Sequence, residues 1–265
     1  MRRVGTVEGL WRYPVKSMIG EAIESTDIGV GGVAGDRARA LVDADGRVGS
    51  AKHSKRWPGL FTTRAAYLEE PGSSASVPPV RLTLPGGATL ASDDDSLASA
   101  LSEHFGRPVA LLDSPPAGAR AVEELDDGVE ESFALPPGTF FDDAVLHLLS
   151  VAALARLHEA HPSGRFVSER FRPNVLVSTG DGPGFPEDGW IGHGVRLGRD
   201  VEIAVTGRCR RCVMVSLEQE DRPRDPRILR TAAQLHDADV GVYAHVVRDG
   251  QVRLGDPVHL CEEAP

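Results

Sequence analysis

Lysine and cysteine are scarce in this chain. In 265 residues the lysines are Lys16, Lys52 and Lys55, and the cysteines are Cys209, Cys212 and Cys261. Cysteines this few and this unevenly spaced exclude a secreted disulfide framework; in a reducing compartment they are free, metal-bound or catalytic. No apolar run approaches the roughly 20 residues that a membrane span needs, and the opening MRRVGTVEGLWRYPV lacks the apolar run of a signal peptide. A cytoplasmic protein with no membrane contact is expected. Positive charge is short too: 29 basic residues face 39 acidic ones, a net charge of −10. That balance argues against nucleic acid as a partner and requires any anion site to be local. Most of the basic residues are arginine, a compositional bias, so the lysines are the rarer statement.

What remains is ordinary for a globular protein, with 41% hydrophobic and 26% charged residues, and the length allows one or two domains. From Val4 to about Ala66 short alternating segments are separated by turns, and Asp45-Gly46 predicts a hairpin. EEPGSSASVPP reads as a loop, and DDDSLASALSEHFG predicts a short helix capped by Asp95 or Ser96 and ended by Gly106. An acidic stretch holding Glu123, Glu124, Asp126, Asp127, Glu130 and Glu131 marks a solvated connection. The expected division is 1–120 and 121–265. AVLHLLSVAALARLHEAHP predicts a buried strand and then a helix capped by Ser150. RFRPNVLVS leads into a strand at 175–178, VRLGRDVEIAVTG reads as a hairpin pair, and QVRLGDPVHLC as a terminal hairpin.

TGRCRRCVMVS places Cys209 and Cys212 two residues apart among Arg208, Arg210 and Arg211. A zinc site needs about four ligands, and His259 with Cys261 offers a second pair, but the arginines oppose a bound cation. A dithiol redox pair normally opens a helix, whereas VEIAVTG and VMVSL on either side are both β-like. Two small buried residues are the plain alternative. A single reactive thiolate, stabilised by neighbouring arginines and suited to a soft metal or a carried sulfur, is the third reading. Elsewhere, Lys16-Ser17 in YPVKSMIG offers an ammonium and a hydroxyl in a tight bend, a pairing that suits phosphate but also an ordinary solvated turn. Asp36-Arg37 and ERFRPN are similarly ambiguous alone.

Together, YPVKS, GDRARALVD, RWPGL, FRPN, the RC of CRRC and VRLGDPV, in this order from about residue 4 to 260, resemble the MOSC superfamily with its companion N-terminal domain. The resemblance implies a mainly β fold with a few helices: a MOSC β-barrel plus an N-terminal β-barrel domain. It implies a molybdenum–molybdopterin cofactor with Cys212 as catalytic residue and molybdenum ligand. Lys16, Ser17, Arg37, Arg172, Asn174 and Arg211 match cofactor-holding positions, Ser150 matches a family polar contact, and Lys52 is a further candidate. Cys209 would not be the ligand. Arg210 departs from the smaller polar residue of many relatives, at the substrate mouth or donor contact. Pyridoxal phosphate is not expected in this chain.

The family includes amidoxime and N-hydroxylated-base reductases, so the resemblance implies reduction of small N-hydroxylated substrates. Three cysteines cannot supply a ferredoxin-type cluster of four, so an external electron donor of ferredoxin or flavoprotein type is implied. The rival expectations are a persulfide carrier using Cys212 and a non-catalytic cofactor carrier. None of these motifs encodes an oligomeric state.

Overall fold

The structure is a computed structural model, and it describes residues 1–72, 77–115, 120–124, 130–135, 139–180 and 182–261. Strands dominate; the α-helices among the described residues are Leu97–Phe105, Val151–Ala160, Ser168–Phe171 and Arg227–His236. The mainly β expectation holds.

Two compact units form, neither of them a single stretch: Met1–Arg12, Ala22–Ala34 and Ala144–Pro265 make one, and Tyr13–Glu21 with Gly35–Asp143 make the other. In space the division is therefore not linear at 120/121. The first strand belongs to the barrel of the C-terminal half. The hairpin Arg120–Glu124 with Glu130–Ala134 extends a sheet of the other unit, so part of the acidic stretch is strand, not connection; residues 125–129 lie outside the described residues.

The first unit is a closed seven-strand ring. Arg2–Arg12 pairs with Val175–Ser178, followed in order by Leu146–Ser150, Asp239–Arg248, Val201–Arg210, Gly194–Leu197 and Pro257–Leu260, which pairs back onto Arg2–Arg12. Leu146–Ser150 and Val175–Ser178 run parallel, with Leu148 opposite Val175. A parallel pair needs a crossover, and helix Val151–Ala160 supplies it. Ser150 starts that helix as expected, its Oγ accepting from the Ala153 N–H at 3.0 Å. All five residues of Leu146–Ser150 are buried, because both faces are covered. Leu146 and Leu148 face the barrel core, while Leu149 packs with Leu157 and Ile228 in the helical layer.

Alternation sets the barrel interior. Val201, Ile203 and Val205 point into the core while Glu202 and Ala204 stay half-buried. Emptying one such position, Ile203→Ala, costs about 2–5 kcal/mol. Register breaks between Val205 and Gly207 and between Arg208 and Arg210 mark bulges, which twist a strand as it leaves its ladder. Two sequence expectations fail here. VMVS, read as β-like, is a 3-10 turn at Val213–Ser216. The expected terminal hairpin is split, since Gly250–Arg253 pairs with Ser25–Gly29 while Pro257–Leu260 enters the barrel. Pro257–Leu260 is paired on both edges, with Gly194–Leu197 and with Arg2–Arg12, which leaves Gly250–Arg253 to Ser25–Gly29.

In the second unit, Ala40–Asp43 and Arg47–Val48 join across the expected turn, where Gly46 has φ 75°. They belong to a five-stranded sheet; Arg64–Tyr67, Val80–Thr83 and Thr89–Ala91 form a three-stranded one. Helix Leu97–Phe105 ends at Gly106, φ 65°, and buries Leu101 and Phe105 beside Trp57.

Candidate functional site

The cysteine loop lies where the long strand Val201–Arg210 ends. Cys209 is fully buried, whereas Cys212 is half-buried at the start of the 3-10 turn. The pair that looks symmetrical in sequence is therefore unequal. Arg211 and Tyr243 both hydrogen-bond the Cys209 sulfur. Burial pushes the Cys209 thiol up, more than Arg211 lowers it, so it stays a neutral thiol at neutral pH. Cys209 is an anchor for Arg211.

Arg211 is held on three more sides. Its backbone N–H donates to the Ala238 carbonyl at 2.8 Å, its Nη2 to the Phe171 carbonyl at 2.7 Å, and the guanidinium sits 5.8 Å from the Phe171 ring centre. Its Nε is buried and has no hydrogen-bond partner among the described residues. Arg208 and Arg210 turn elsewhere, to Asp188 at 2.8 Å and Asp239 at 3.3 Å. Arg208 and Arg210 thus pair with carboxylates, whereas Arg211 meets the Cys209 sulfur.

Arg172 and Asn174 follow helix Ser168–Phe171. Arg172 ends the helix in the left-handed region, φ 53°. Asn174 is buried: its Oδ1 accepts from the His147 N–H at 3.2 Å and its Nδ2 donates to the Trp11 carbonyl at 3.4 Å. Asn174 thus ties the strand of His147 to the first strand. The His147 ring lies beneath, 3.4 Å from the Arg172 carbonyl and 3.3 Å from that of Val240. Arg170 donates to the carbonyls of Arg165, Val215, Leu217 and Pro223, clamping the segment after Cys212. Ser150 is fully buried, capping its helix and donating its N–H to Glu187 at 3.4 Å, so its hydroxyl serves the fold and meets no open surface.

The second unit gathers the lysines. Lys16 is buried; its Nζ donates to the Phe140 carbonyl at 2.8 Å and to Asp142. Lys52 reaches the other Asp142 oxygen at 3.3 Å. Burial pulls the Lys16 ammonium below the usual lysine value despite Asp142. Burial also opposes ionisation of Asp142, but Lys16 and Lys52 outweigh it and hold its pKa at about 2. Arg37 pairs with Asp36 and lies over the rings of Tyr13 and Phe141, 5.0 and 5.5 Å from their centres. Asp36 also accepts from the Tyr13 N–H at 2.7 Å. Ser17 accepts from the Ala51 N–H at 3.2 Å. Lys16 is fixed by backbone as well, its N–H donating to the Arg39 carbonyl at 2.8 Å.

Sequence reasoning missed Asp142, Tyr243 and His147. Asp142 is 126 residues from Lys16, and nothing in FFDDA marks it. The only available signal was that a buried lysine needs a counter-ion.

Do these residues fit the cofactor? Ser17, Arg37 and Arg172 have φ of 63°, 49° and 53°, three of the six non-glycine residues with positive φ among those described. Each such conformation costs on the order of 1–3 kcal/mol and persists where surrounding structure enforces it, often at ligand sites. Within the barrel unit the Arg211 Nε is a donor of the kind suited to a polar pterin, and within the other unit Lys16, Lys52 and Arg37 are of the kind suited to a phosphate. Cys212 supplies a reachable soft ligand. Zinc finds no such support: among the described residues no group of three or more His, Cys, Asp or Glu side chains could hold a metal ion. Taken unit by unit, the residue types present are compatible with those a molybdenum–pterin group requires.

Comparison with known proteins decides the family. The model of the MOSC domain matches residues 136–259, and that of the MOSC N-terminal beta barrel domain matches residues 4–102. The chain belongs to the MOSC family. Mitochondrial amidoxime reducing component 2 of Rattus norvegicus is a relative of this MOSC protein, 28% identical over 98% of the chain and 84% of its own length. Molybdenum cofactor sulfurase of Danio rerio is 25% identical over 90% of the chain, which spans only 31% of that protein. Among solved structures, the YuaD protein of Bacillus subtilis matches with a TM-score of 0.48 and 14% identity, covering 97% of this chain and 94% of that one.

Proposed function

We propose that this MOSC protein binds a molybdenum cofactor through Cys212 and reduces small N-hydroxylated compounds, hydroxylamines, amidoximes or N-hydroxylated bases, using electrons from a separate ferredoxin- or flavoprotein-type donor. The observation that carries the reading is the inequality of the cysteines. Cys212 is half-exposed on the loop that leaves the barrel, whereas Cys209 is buried and bound by Arg211. The relatives named as amidoxime reducing components support the substrate class. Bound molybdenum would supply two-electron oxygen-atom chemistry, so that N–OH, two electrons and two protons yield N–H and water.

The chain's own residues do the rest. Cys212 offers the thiolate. Arg211, pinned by Cys209 and the Phe171 carbonyl, keeps its free Nε in a fixed place for an acceptor. In the second unit Lys16, Lys52, Arg37 and Ser17 suit a terminal phosphate; in the barrel unit Arg172 offers a cation on a conformationally fixed corner. Asn174 and Ser150 hold the framework. A reducing compartment, the cytoplasm, suits a working free thiol.

Likeness to the sulfurase favours a second reading, in which Cys212 carries a persulfide. One experiment separates them. Protein made in a cofactor-competent host is measured for molybdenum and pterin fluorescence, then for reduction of benzamidoxime or N-hydroxyadenine with an artificial donor. About one molybdenum per chain and activity, both lost in Cys212→Ala, are expected. Metal-free protein with cyanide-labile sulfur on Cys212 would sink the reductase reading.

A further inference from the structure

We propose that the outer face of the barrel carries a site for a tetrahedral oxyanion, a phosphate or sulfate group, formed by Arg3, His259 and Arg196 from three adjacent strands. The site lies at the seam where the ring closes, Pro257–Leu260 against Arg2–Arg12. It uses none of the residues assigned to the cofactor and is independent of that reading.

The strand register places the three in one row. Arg3 is opposite His259, and His259 is opposite Arg196 of Gly194–Leu197. Their chain neighbours Val4, Val258 and Val195 belong to the barrel core, so by alternation the three basic side chains turn outward. Like charges set side by side across strands weaken a sheet, so a row of three bases at the closing strands works against the fold unless an anion shares them.

The carboxylate that the register brings beside the row is engaged elsewhere. Glu202 stands opposite Arg196 on the next strand, but its side chain goes to Arg248 at 3.0 Å. Arg196 Nε and His259 Nδ1 are both buried and without a hydrogen-bond partner among the described residues. Arg3 donates to neutral acceptors, the Thr6 hydroxyl at 3.0 Å and the Gly5 carbonyl at 3.4 Å. Burial pulls the His259 imidazole below its ordinary value, and Arg196, Arg3 and the chain's amino terminus pull it the same way.

The geometry selects the class of anion. Neighbouring strands lie about 4.8 Å apart, so Arg3 and Arg196 start roughly 10 Å from each other with His259 between them. Two long guanidinium side chains can converge from opposite sides on an ion above the imidazole. A carboxylate has two oxygens to offer three donors, whereas a tetrahedral oxyanion has one for each. The bound ion ties the last barrel strand to both its neighbours and so favours the closed ring.

Sulfate is the probe, because it does not titrate near neutrality. The His259 ring of the parent protein is followed by NMR against pH, in chloride and in sulfate at equal ionic strength. Bound sulfate favours the imidazolium and should raise the His259 midpoint by about one pH unit. By calorimetry the parent should bind sulfate about tenfold more tightly than Arg196→Gln, which loses a charge-assisted hydrogen bond, and the upward shift should vanish in that variant. Equal affinity in the parent and Arg196→Gln overturns the proposal. The same His259 midpoint in the two salts overturns it as well, whether or not the variant folds. Inorganic phosphate and glycerol phosphate, compared at one pH, identify the source of the group. Tighter binding of the ester marks a phosphoryl group carried on a larger molecule, and equal or weaker binding marks a free ion.

Discussion

The two residue clusters follow opposite plans. In the barrel unit polar side chains mostly end on the fold itself: Asn174 on the backbone of His147 and Trp11, Arg170 on four carbonyls, Ser150 on its helix, Cys209 on Arg211 and Tyr243. In the other unit Lys16, Lys52 and Arg37 end on carboxylates: Lys16 and Lys52 on Asp142, and Arg37 on Asp36. A motif residue can therefore shape a site or face a ligand. Burial together with hydrogen-bond satisfaction tells the two apart.

The sharpest way to break this comparison is at the cysteines. Cys212→Ala should lose essentially all molybdenum, while Cys209→Ala keeps most of it; equal losses by elemental analysis would make the pair symmetrical again. Next is Asn174→Ala, which strands the His147 N–H and the Trp11 carbonyl. Urea unfolding should show a loss of about 3 kcal/mol, because a buried group without its partner costs about 1–3 kcal/mol. Ser150→Ala should cost about 1 kcal/mol, the usual worth of a helix cap, with molybdenum content unchanged. A large metal loss there would move Ser150 from framework to ligand contact.

The smallest effect tests the charged cluster by acid. Asp142 has its pKa held at about 2 in the folded chain, below its ordinary value of about 3.9. Its contribution is therefore complete above about pH 4 and lost as pH falls toward 2. Asp142→Asn should flatten that part of the acid limb in urea midpoints measured from pH 5 to pH 2. The effect is modest, since a carboxylate 37% exposed is screened by solvent.

Local patterns were legible where local physics decides. Ser150 as cap, Gly106 as helix end, the Asp45-Gly46 turn and the strand at Val175–Ser178 follow from propensity and periodicity. The split of the expected C-terminal hairpin did not, because distant strands offered Gly250–Arg253 and Pro257–Leu260 their partners. In the same way, the order of YPVKS, GDR, FRPN and RC revealed the family, but the inequality of Cys209 and Cys212 needed burial. The roles of Tyr243 and Asp142 needed pairings across 34 and 126 residues, which no spacing rule carries.

Closure of the barrel has a consequence in time. Arg2 sits opposite Leu260 and Thr6 opposite Pro257, so Arg2–Arg12 waits for a strand made some 250 residues later before the ring can shut. Pairings this distant in sequence form slowly, since a long loop must close before the contacts reward it. The cysteine loop is synthesised while the ring around it is still open, and the closed barrel that carries it exists only after Pro257–Leu260 has been made.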